Sequence, residues 1–169
     1  IAEARGVSVA DVTVCVLDRP RHAHIIDELR EIGASIKLIN DGDIAGVIHT
    51  TDRDETGIDL YMGTGGAPEG VLAAAALRCV GGQMQGRLVL DSDEKRARAT
   101  RLGITDHKRK YAVDELASGD VLFAATGVTD GSMLDGVKIR PKHVETSTIV
   151  MRSWSKTVRQ INARHLRDI

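Results

Sequence analysis

Aromatic residues are almost absent from this sequence, and positive charge is not in excess. Phe, Trp and Tyr make up 2% of the 169 residues, and 23 Lys and Arg side chains stand against 24 Asp and Glu side chains, for a formal net charge of -1. Platforms for stacking nucleic-acid bases need aromatic side chains, and general nucleic-acid binding depends on clustered positive charge. The composition therefore argues against a nucleic-acid-binding protein and predicts a core of Val, Ile, Leu and Ala.

Cysteines and long apolar runs are also scarce. Cys15 and Cys79 lie in apolar stretches, and neither belongs to a CxxC or Cys/His metal-binding pattern. Each is predicted to be a buried thiol rather than half of a disulfide. No stretch approaches the roughly 20 apolar residues needed to cross a bilayer, and the sequence does not start with a signal-peptide pattern. We expect a cytoplasmic protein without a membrane partner.

The beginning of the sequence resembles the end of a helix. Residues 1–6 read as a last helical turn that stops at Gly6, and the first residue is Ile1 rather than Met. The rest of the sequence contains no repeat, low-complexity tract or linker. We expect residues 1–169 to form one compact domain that is the C-terminal part of a longer protein.

The first half of the sequence alternates between strand-like and helix-like segments. The pattern predicts strands over 12–17, 35–39 and 58–62, helices over 25–32, 44–49 and 71–80, and a polar loop over 50–57. This alternation is typical of a parallel sheet with right-handed crossovers. The predicted fold class is α/β, with a mixed, largely parallel sheet flanked by helices.

The second half of the sequence has a different pattern. Charged residues over 91–101 predict a solvated helix, and an apolar strand is predicted over 121–125. Apolar and polar residues then alternate over 137–139, 147–152 and 158–161, with a hairpin turn predicted at 154–156. We therefore expect antiparallel strands at the C-terminal end of the domain.

Polar or glycine-rich residues follow four of the predicted strands. They read DRPRH at 18–22, DGD at 41–43, GTGGAPEG at 63–70 and ATGVTDG at 125–131. Ligands of open α/β sheets bind beyond the carboxyl ends of the strands. If the four strands are parallel neighbours, these loops should form one pocket.

The first loop offers two guanidinium groups, on Arg19 and Arg21, on either side of Pro20. Pro20 restricts the local backbone, and the planar donor fork of Arg fits a phosphate or a carboxylate. The following helix start adds free N–H groups and partial positive charge. The alternative is a pair of surface arginines, and His22 is predicted to lie at the helix start or on the surface.

The second loop places two carboxylates, Asp41 and Asp43, on either side of Gly42. Carboxylates accept hydrogen bonds from sugar hydroxyls and bind hard cations. The alternative is a turn in which Asp43 caps the next helix. The two interpretations are compatible.

The third loop combines glycines with a helix start. Glycines let a backbone approach a ligand closely, Pro68 suits the first helical position, and Glu69 falls in the first turn, where a carboxylate is stabilised. Glu69 is a candidate ligand for Mg²⁺, and an ordinary strand-to-helix turn is the alternative. In the fourth loop, Asp130 is a weaker candidate for a residue that reaches the binding site. No catalytic Ser/His/Asp or Cys/His set is assigned.

The order of these motifs resembles a known enzyme family. RPRH, then DGD about twenty residues later, then GGAPEG and FAATGVTDG resemble the class II fructose-1,6-bisphosphatases. The bacterial forms that also cleave sedoheptulose 1,7-bisphosphate are especially similar. The resemblance runs from Val12 nearly to the end of the sequence and implies a layered αβαβα fold, of which this chain would be the C-terminal half.

The resemblance also implies the function and the residues that carry it. Family members remove the 1-phosphate of the sugar bisphosphate with Mg²⁺ or Mn²⁺, and a homodimer or homotetramer is expected. Glu69 would be a metal ligand, and a group of loop residues would bind the substrate: Arg19, Pro20, Arg21, Asp41, Gly42, Asp43 and Gly66. Family members often carry Lys where Arg19 stands.

One departure from the family pattern affects the expected activity. The acidic metal motifs of the family's N-terminal half, of the GEGE and DP-x-[DE]-GT kinds, do not occur in this sequence. We therefore expect the chain to be inactive by itself. The alternative function is a stand-alone, non-catalytic domain that senses a phosphorylated metabolite.

Overall fold

The structure is a computed structural model that describes residues 1–167, so the last two residues of the predicted domain lie outside the described part. The elements of its first half are α1 (Ala2–Arg5), β1 (Thr13–Leu17), α2 (Ala23–Glu31), β2 (Ser35–Ile39), α3 (Asp43–His49), α4 (Arg53–Thr56), β3 (Leu60–Tyr61) and α5 (Ala67–Val80). The second half contains β4 (Gln85–Gly86), α6 (Asp93–Arg101), β5 (Tyr111–Ala112), α7 (Val113–Leu116), β6 (Leu122–Thr126), β7 (Lys138–Ile139), β8 (His143–Arg152) and β9 (Thr157–Leu166).

A parallel three-stranded sheet organises the first half. β1 lies in the middle, with β2 and β3 on either side, and both pairings are parallel. Four of the five β1 residues are buried, as expected for a central strand covered on both faces. The carboxyl ends of all three strands therefore point to the same edge of the sheet.

Helix α2 covers one face of this sheet. Its residues Ile26 and Leu29 pack against Val12, Val14 and Val16. The helix follows a 3-10 turn, Pro20–His22, that begins with a proline. Gly33 follows the helix with a φ of +77°, a backbone conformation that glycine adopts without strain.

Helices α3 and α5 lie between the parallel sheet and a second sheet. In α3, a side chain on Gly46 would lie 2.9 Å from Cδ1 of Ile39 and 3.0 Å from the ring of Tyr61, so the glycine allows the helix to approach the sheet closely. On their other side these helices join a core with strands β6 and β8, which includes Ile48, Cys79, Phe123, Ile149 and Met151. The resulting order, helix, sheet, helices, sheet, agrees with the predicted layered fold.

The second sheet is antiparallel and is built around β8. One edge of β8 pairs with β6 and β7, and its other edge pairs with β9 over ten residue pairs. A turn that includes Lys156, at a φ of 48°, joins β8 to β9. β4 and β5 form a separate two-stranded sheet.

The predicted α/β class, the parallel pairing and the antiparallel C-terminal strands are confirmed. β2 has the predicted bounds, and the hairpin turn at 154–156 is present. Both cysteines are free and buried, as predicted, and burial raises the pKa of the Cys15 thiol. The prediction of a simple polar loop over 50–57 is wrong, because this segment contains α4. Within residues 1–167, no helix is both long and apolar enough to span a membrane.

Candidate functional site

The two arginines of the turn after β1 differ in exposure and in hydrogen-bonding partner. Arg19 is half-buried and donates from Nη1 to the carbonyl of Asp18 over 3.0 Å. Arg21 is exposed and donates from Nε to the carbonyl of Thr64 over 2.7 Å. In the part of the chain that the structure describes, the terminal nitrogens of Arg21 have no hydrogen-bonding partner. This leaves a donor fork open toward a ligand.

His22, which the sequence places at the helix start or on the surface, is completely buried at the helix start. Its Nδ1 lies 2.9 Å from the carbonyl oxygen of Leu17, and its Nε2 accepts a hydrogen bond from the N–H of Thr64 at 2.8 Å. Arg21 and His22 therefore both hold Thr64, in the loop after β3.

The loop after β2 is a tight turn at the start of α3. Gly42 has a φ of +80°, and the N–H of Gly42 donates a hydrogen bond to the carboxylate of Asp41. The half-buried Asp43 accepts from the N–H of Ile44 over 2.9 Å. A side chain on Gly65 would lie 3.6 Å from Oδ2 of Asp43. Gly42, not Asp43, is the N-cap of α3, so the alternative prediction that Asp43 caps this helix is wrong. Asp43 is the first residue of α3, and its carboxylate faces the loop after β3.

The start of α5 brings Glu69 back toward its own loop. Gly66 precedes the helix, Ala67 begins it, and Pro68 is its second residue rather than the predicted first. The carboxylate of Glu69 folds over Gly66 so closely that a side chain there would overlap it. Any residue other than glycine at this position would displace the Glu69 carboxylate.

Three consecutive residues unite the three loops. Thr64 is held by Arg21, Gly65 lies against Asp43, and Gly66 lies under Glu69. The predicted convergence of RPRH, DGD and GGAPEG at one sheet edge is therefore confirmed as geometry. The roles assigned to the individual residues stay predictions.

The fourth loop does not share this arrangement. Strand β6 belongs to the antiparallel sheet, so it is not a parallel neighbour of β1 to β3. Asp130 accepts a hydrogen bond from the N–H of Gly136 over 2.8 Å and thus serves its own loop. The condition for including ATGVTDG in the pocket is not met.

Tyr61, at the end of β3, adds a phenol to the site. Burial, and next the negative charge of Asp43, raise its pKa to about 12, while Arg21 acts in the opposite direction. A side chain on Gly63 would lie 3.5 Å from the Tyr61 hydroxyl. The phenol stays protonated at neutral pH and offers a neutral hydroxyl beside both charged groups.

Comparison with known proteins identifies the family. The family described as bacterial fructose-1,6-bisphosphatase, glpX-encoded, matches residues 1–165. The chain belongs to this family.

Named relatives agree with this assignment. A class 2 D-fructose 1,6-bisphosphatase/sedoheptulose 1,7-bisphosphatase of Synechococcus sp. (strain JA-3-3Ab) is 44% identical over 181 aligned residues. Proteins of the same description from Synechococcus sp. (strain JA-2-3B'a(2-13)) and Microcystis aeruginosa (strain NIES-843 / IAM M-2473) are 43% and 42% identical. Each match covers 99% of this chain and 52% of the relative. The chain thus spans about half the length of these bisphosphatases.

Potential metal-ligating side chains are dispersed within residues 1–167. No group of three or more His, Cys, Asp or Glu side chains in that range is placed to hold a metal ion. Glu69 is exposed at the start of α5. Its carboxylate fits the part of one hard-oxygen ligand in a site that other residues complete.

The sequence did not predict the contacts that two residues, Tyr61 and His22, make near the site. Tyr61 belongs to an apolar strand pattern, and His22 has no metal-ligand or catalytic spacing. The available signal for His22 was its position directly after RPR, with glycines on the facing loop. The buried ring is hydrogen-bonded to Thr64, 42 residues away.

Proposed function

We propose that this chain forms the substrate-binding part of a metal-dependent sugar bisphosphatase. The reaction is hydrolysis of the 1-phosphate of fructose 1,6-bisphosphate, which gives fructose 6-phosphate and inorganic phosphate, and sedoheptulose 1,7-bisphosphate is a second substrate. Membership of the family and the names of the relatives support the reaction class. The observation that carries the proposal is the meeting of Arg21, Asp43 and Glu69 at three consecutive residues.

Arg21 is the main anchor for the phosphate that stays on the sugar. Its Nε bond to Thr64 fixes the plane of the guanidinium while its remaining donors face solvent. A guanidinium held in this way binds a phosphate through parallel N–H donors with little loss of side-chain freedom. Arg19 adds positive charge from the same turn, and Pro20 fixes the turn's backbone.

The sugar is proposed to lie along the second and third loops. Asp41 is exposed, and Asp43 keeps Oδ2 directed toward Gly65. Both carboxylates can accept hydrogen bonds from sugar hydroxyls. Gly42 keeps the turn tight, and Gly66 presents backbone to the sugar without a side chain in the way.

The metal, Mg²⁺ or Mn²⁺, would be held by Glu69 together with ligands supplied from outside residues 1–167. When bound, such an ion activates water and neutralises charge on the phosphoryl oxygens. Because Mg²⁺ gives up its hydration water reluctantly, a single carboxylate holds it only weakly, and Glu69 alone does not form a functional site. We therefore propose that residues 1–169 alone are inactive. Separately, the resemblance to the family leads us to propose that the complete enzyme assembles as a homo-oligomer.

The test is an assay of the intact natural protein with fructose 1,6-bisphosphate and Mg²⁺ or Mn²⁺. We expect stoichiometric release of phosphate and fructose 6-phosphate, no turnover after chelation, and no turnover by residues 1–169 alone. Fructose 6-phosphate as substrate is the control, since its single phosphate should be retained. Binding of the bisphosphate without hydrolysis by the intact protein would contradict the proposal and favour a metabolite sensor.

A further inference from the structure

The imidazole of His22 connects two parts of the chain that the strands themselves hold only weakly together. Its Nδ1 faces the carbonyl of Leu17 at the end of β1, and its Nε2 faces the N–H of Thr64 beyond β3. A peptide N–H only donates, so Nε2 is the acceptor and Nδ1 carries the proton that Leu17 accepts. Nε2 also lies 3.0 Å from the carbonyl oxygen of Thr64, but as an acceptor without a proton it cannot donate there. That carbonyl accepts a hydrogen bond from Nε of Arg21 over 2.7 Å.

The loop over 63–66 has few other restraints. β3 pairs with β1 through two residues only, and the last backbone bond to β1 comes from the N–H of Met62. Gly63, Gly65 and Gly66 are conformationally free in the unfolded chain. Among the described residues, the hydrogen bonds that tie 63–65 to the rest of the molecule are those of Thr64 to Arg21 and His22.

The imidazole ring of His22 is closely packed. His22 is completely buried, and a side chain on Gly63 would lie 3.3 Å from its Cε1 and 3.4 Å from its Nε2. The ring therefore lies against the loop backbone. It has no exposed surface from which it could touch a ligand.

We propose that His22 is a positioning residue of the binding site. By holding the Thr64 peptide, it fixes the carbonyl that orients Arg21 and the glycines that face Asp43 and Glu69. Where this inference concerns substrate, it rests on the proposed function. It assigns His22 no contact with the reacting atoms.

Two substitutions in the intact natural protein separate this role from general stability. His22→Gln places an amide oxygen near the position of Nε2 and can still accept from Thr64. His22→Asn places an amide nitrogen near the position of Nδ1 and keeps only the bond to Leu17. Both variants lose the ring and one hydrogen bond, so we expect similar losses of thermal stability from both.

The readouts are amide hydrogen exchange over 63–66 and steady-state kinetics with fructose 1,6-bisphosphate. Leaving a buried peptide N–H without its partner shifts an opening equilibrium about tenfold. We expect His22→Asn to speed exchange and to raise KM roughly tenfold, with kcat changed less than about threefold. His22→Gln should keep both exchange and KM within about threefold of the wild type.

Equal effects of the two variants, or an unchanged KM in His22→Asn despite a loosened loop, would overturn the inference. If the wild-type protein does not hydrolyse the bisphosphate, the proposed function fails, and the exchange difference alone still decides whether His22 holds the loop. If His22→Asn does not fold, Gly63→Ala takes its place because the added carbon crowds the ring. Wild-type exchange and KM in Gly63→Ala would then refute the inference.

Discussion

The Nε of Arg21 donates to the carbonyl of Thr64 over 2.7 Å and so joins the turn after β1 to the loop after β3. Within residues 1–167, the remaining guanidinium donors of this exposed side chain make no hydrogen bond. Two loops separated by more than forty residues thereby meet, and the second of them lies next to the carboxylates of Asp43 and Glu69.

Replacing Arg21 should weaken substrate binding more than turnover. We expect Arg21→Ala to raise KM for fructose 1,6-bisphosphate between about tenfold and a hundredfold, because a charge-assisted hydrogen bond to phosphate contributes about 1.5–3 kcal/mol. Arg21→Lys should recover only part of this loss, since Lys lacks the Nε donor and the planar fork. Arg30→Ala, at an exposed position of α2, is the control. An unchanged KM in Arg21→Ala would remove Arg21 from the phosphate site.

Neutralising Glu69 should affect the metal requirement. Glu69→Gln should lower kcat at least about tenfold and raise the Mg²⁺ concentration needed for half-maximal activity, because a charged ligand is lost. Glu94→Gln is a matched control, since Glu94 also lies in the first turn of a helix, α6, and loses the same stabilisation by the helix dipole. Normal turnover and metal dependence in Glu69→Gln would show that Glu69 does not bind the metal.

The close contact of α3 with the parallel sheet depends on Gly46. Gly46→Ala should lower the free energy of unfolding by about 1–3 kcal/mol, since the new carbon would lie 2.9 Å from Ile39 and 3.0 Å from Tyr61. Gly70→Ala, in α5, meets nothing within 4 Å and should stabilise by about 0.5–1 kcal/mol through helix propensity. Urea denaturation measures both. A stability gain from both substitutions would mean that α3 does not pack this tightly.

An ion-pair cluster at the opposite edge of the parallel sheet should make stability pH-dependent. Asp59, whose side chain is 3% exposed, accepts hydrogen bonds from Arg5, Arg53 and the N–H of Thr13. Burial alone would raise the pKa of Asp59, but these donors outweigh it and lower the pKa below its ordinary value. The stabilisation is therefore fully present above the unfolded-state pKa of about 3.9 and is lost as the pH falls through the folded-state value.

Asp59→Asn should accordingly cost about 2 kcal/mol of unfolding free energy at pH 7. The difference from the wild type should shrink as the pH falls below about 4. Asp27→Asn, which breaks an exposed pair with Arg30, should cost less than about 0.5 kcal/mol at either pH. A wild-type advantage over Asp59→Asn that is constant between pH 7 and pH 3 would contradict the assigned cause.

The parts of the fold that the sequence predicted well are those with a strong local pattern. β2 was predicted with its observed bounds, and Gly33 and Gly81 end their helices as expected. β3 is shorter than the predicted 58–62, because only Leu60 and Tyr61 pair with β1. On either side of them, the N–H groups of Asp59 and Met62 each donate one hydrogen bond to a carbonyl of β1. β9 is longer than the predicted 158–161. The sequence did not reveal its full length because most of its residues are exposed and carry no alternating apolar pattern.

For the candidate site, too, the sequence predicted some features and missed others. RPRH, DGD and GGAPEG were assigned to one edge because parallel strands direct their carboxyl ends together, and this holds. The fourth loop was included on a condition that β6 does not meet. Thr64 accepts a hydrogen bond from Arg21 and donates one to His22. These bonds join residues 43 and 42 positions apart, which no local pattern encodes.

The most direct test of the shared site is a crystal structure of the intact natural protein with fructose 6-phosphate bound. We expect the phosphate to accept hydrogen bonds from the terminal nitrogens of Arg21, and the sugar hydroxyls to contact Asp41 or Asp43. The sugar should also pass over the backbone of Gly66. A ligand that occupies another surface, with Arg21 still open to solvent, would contradict the account.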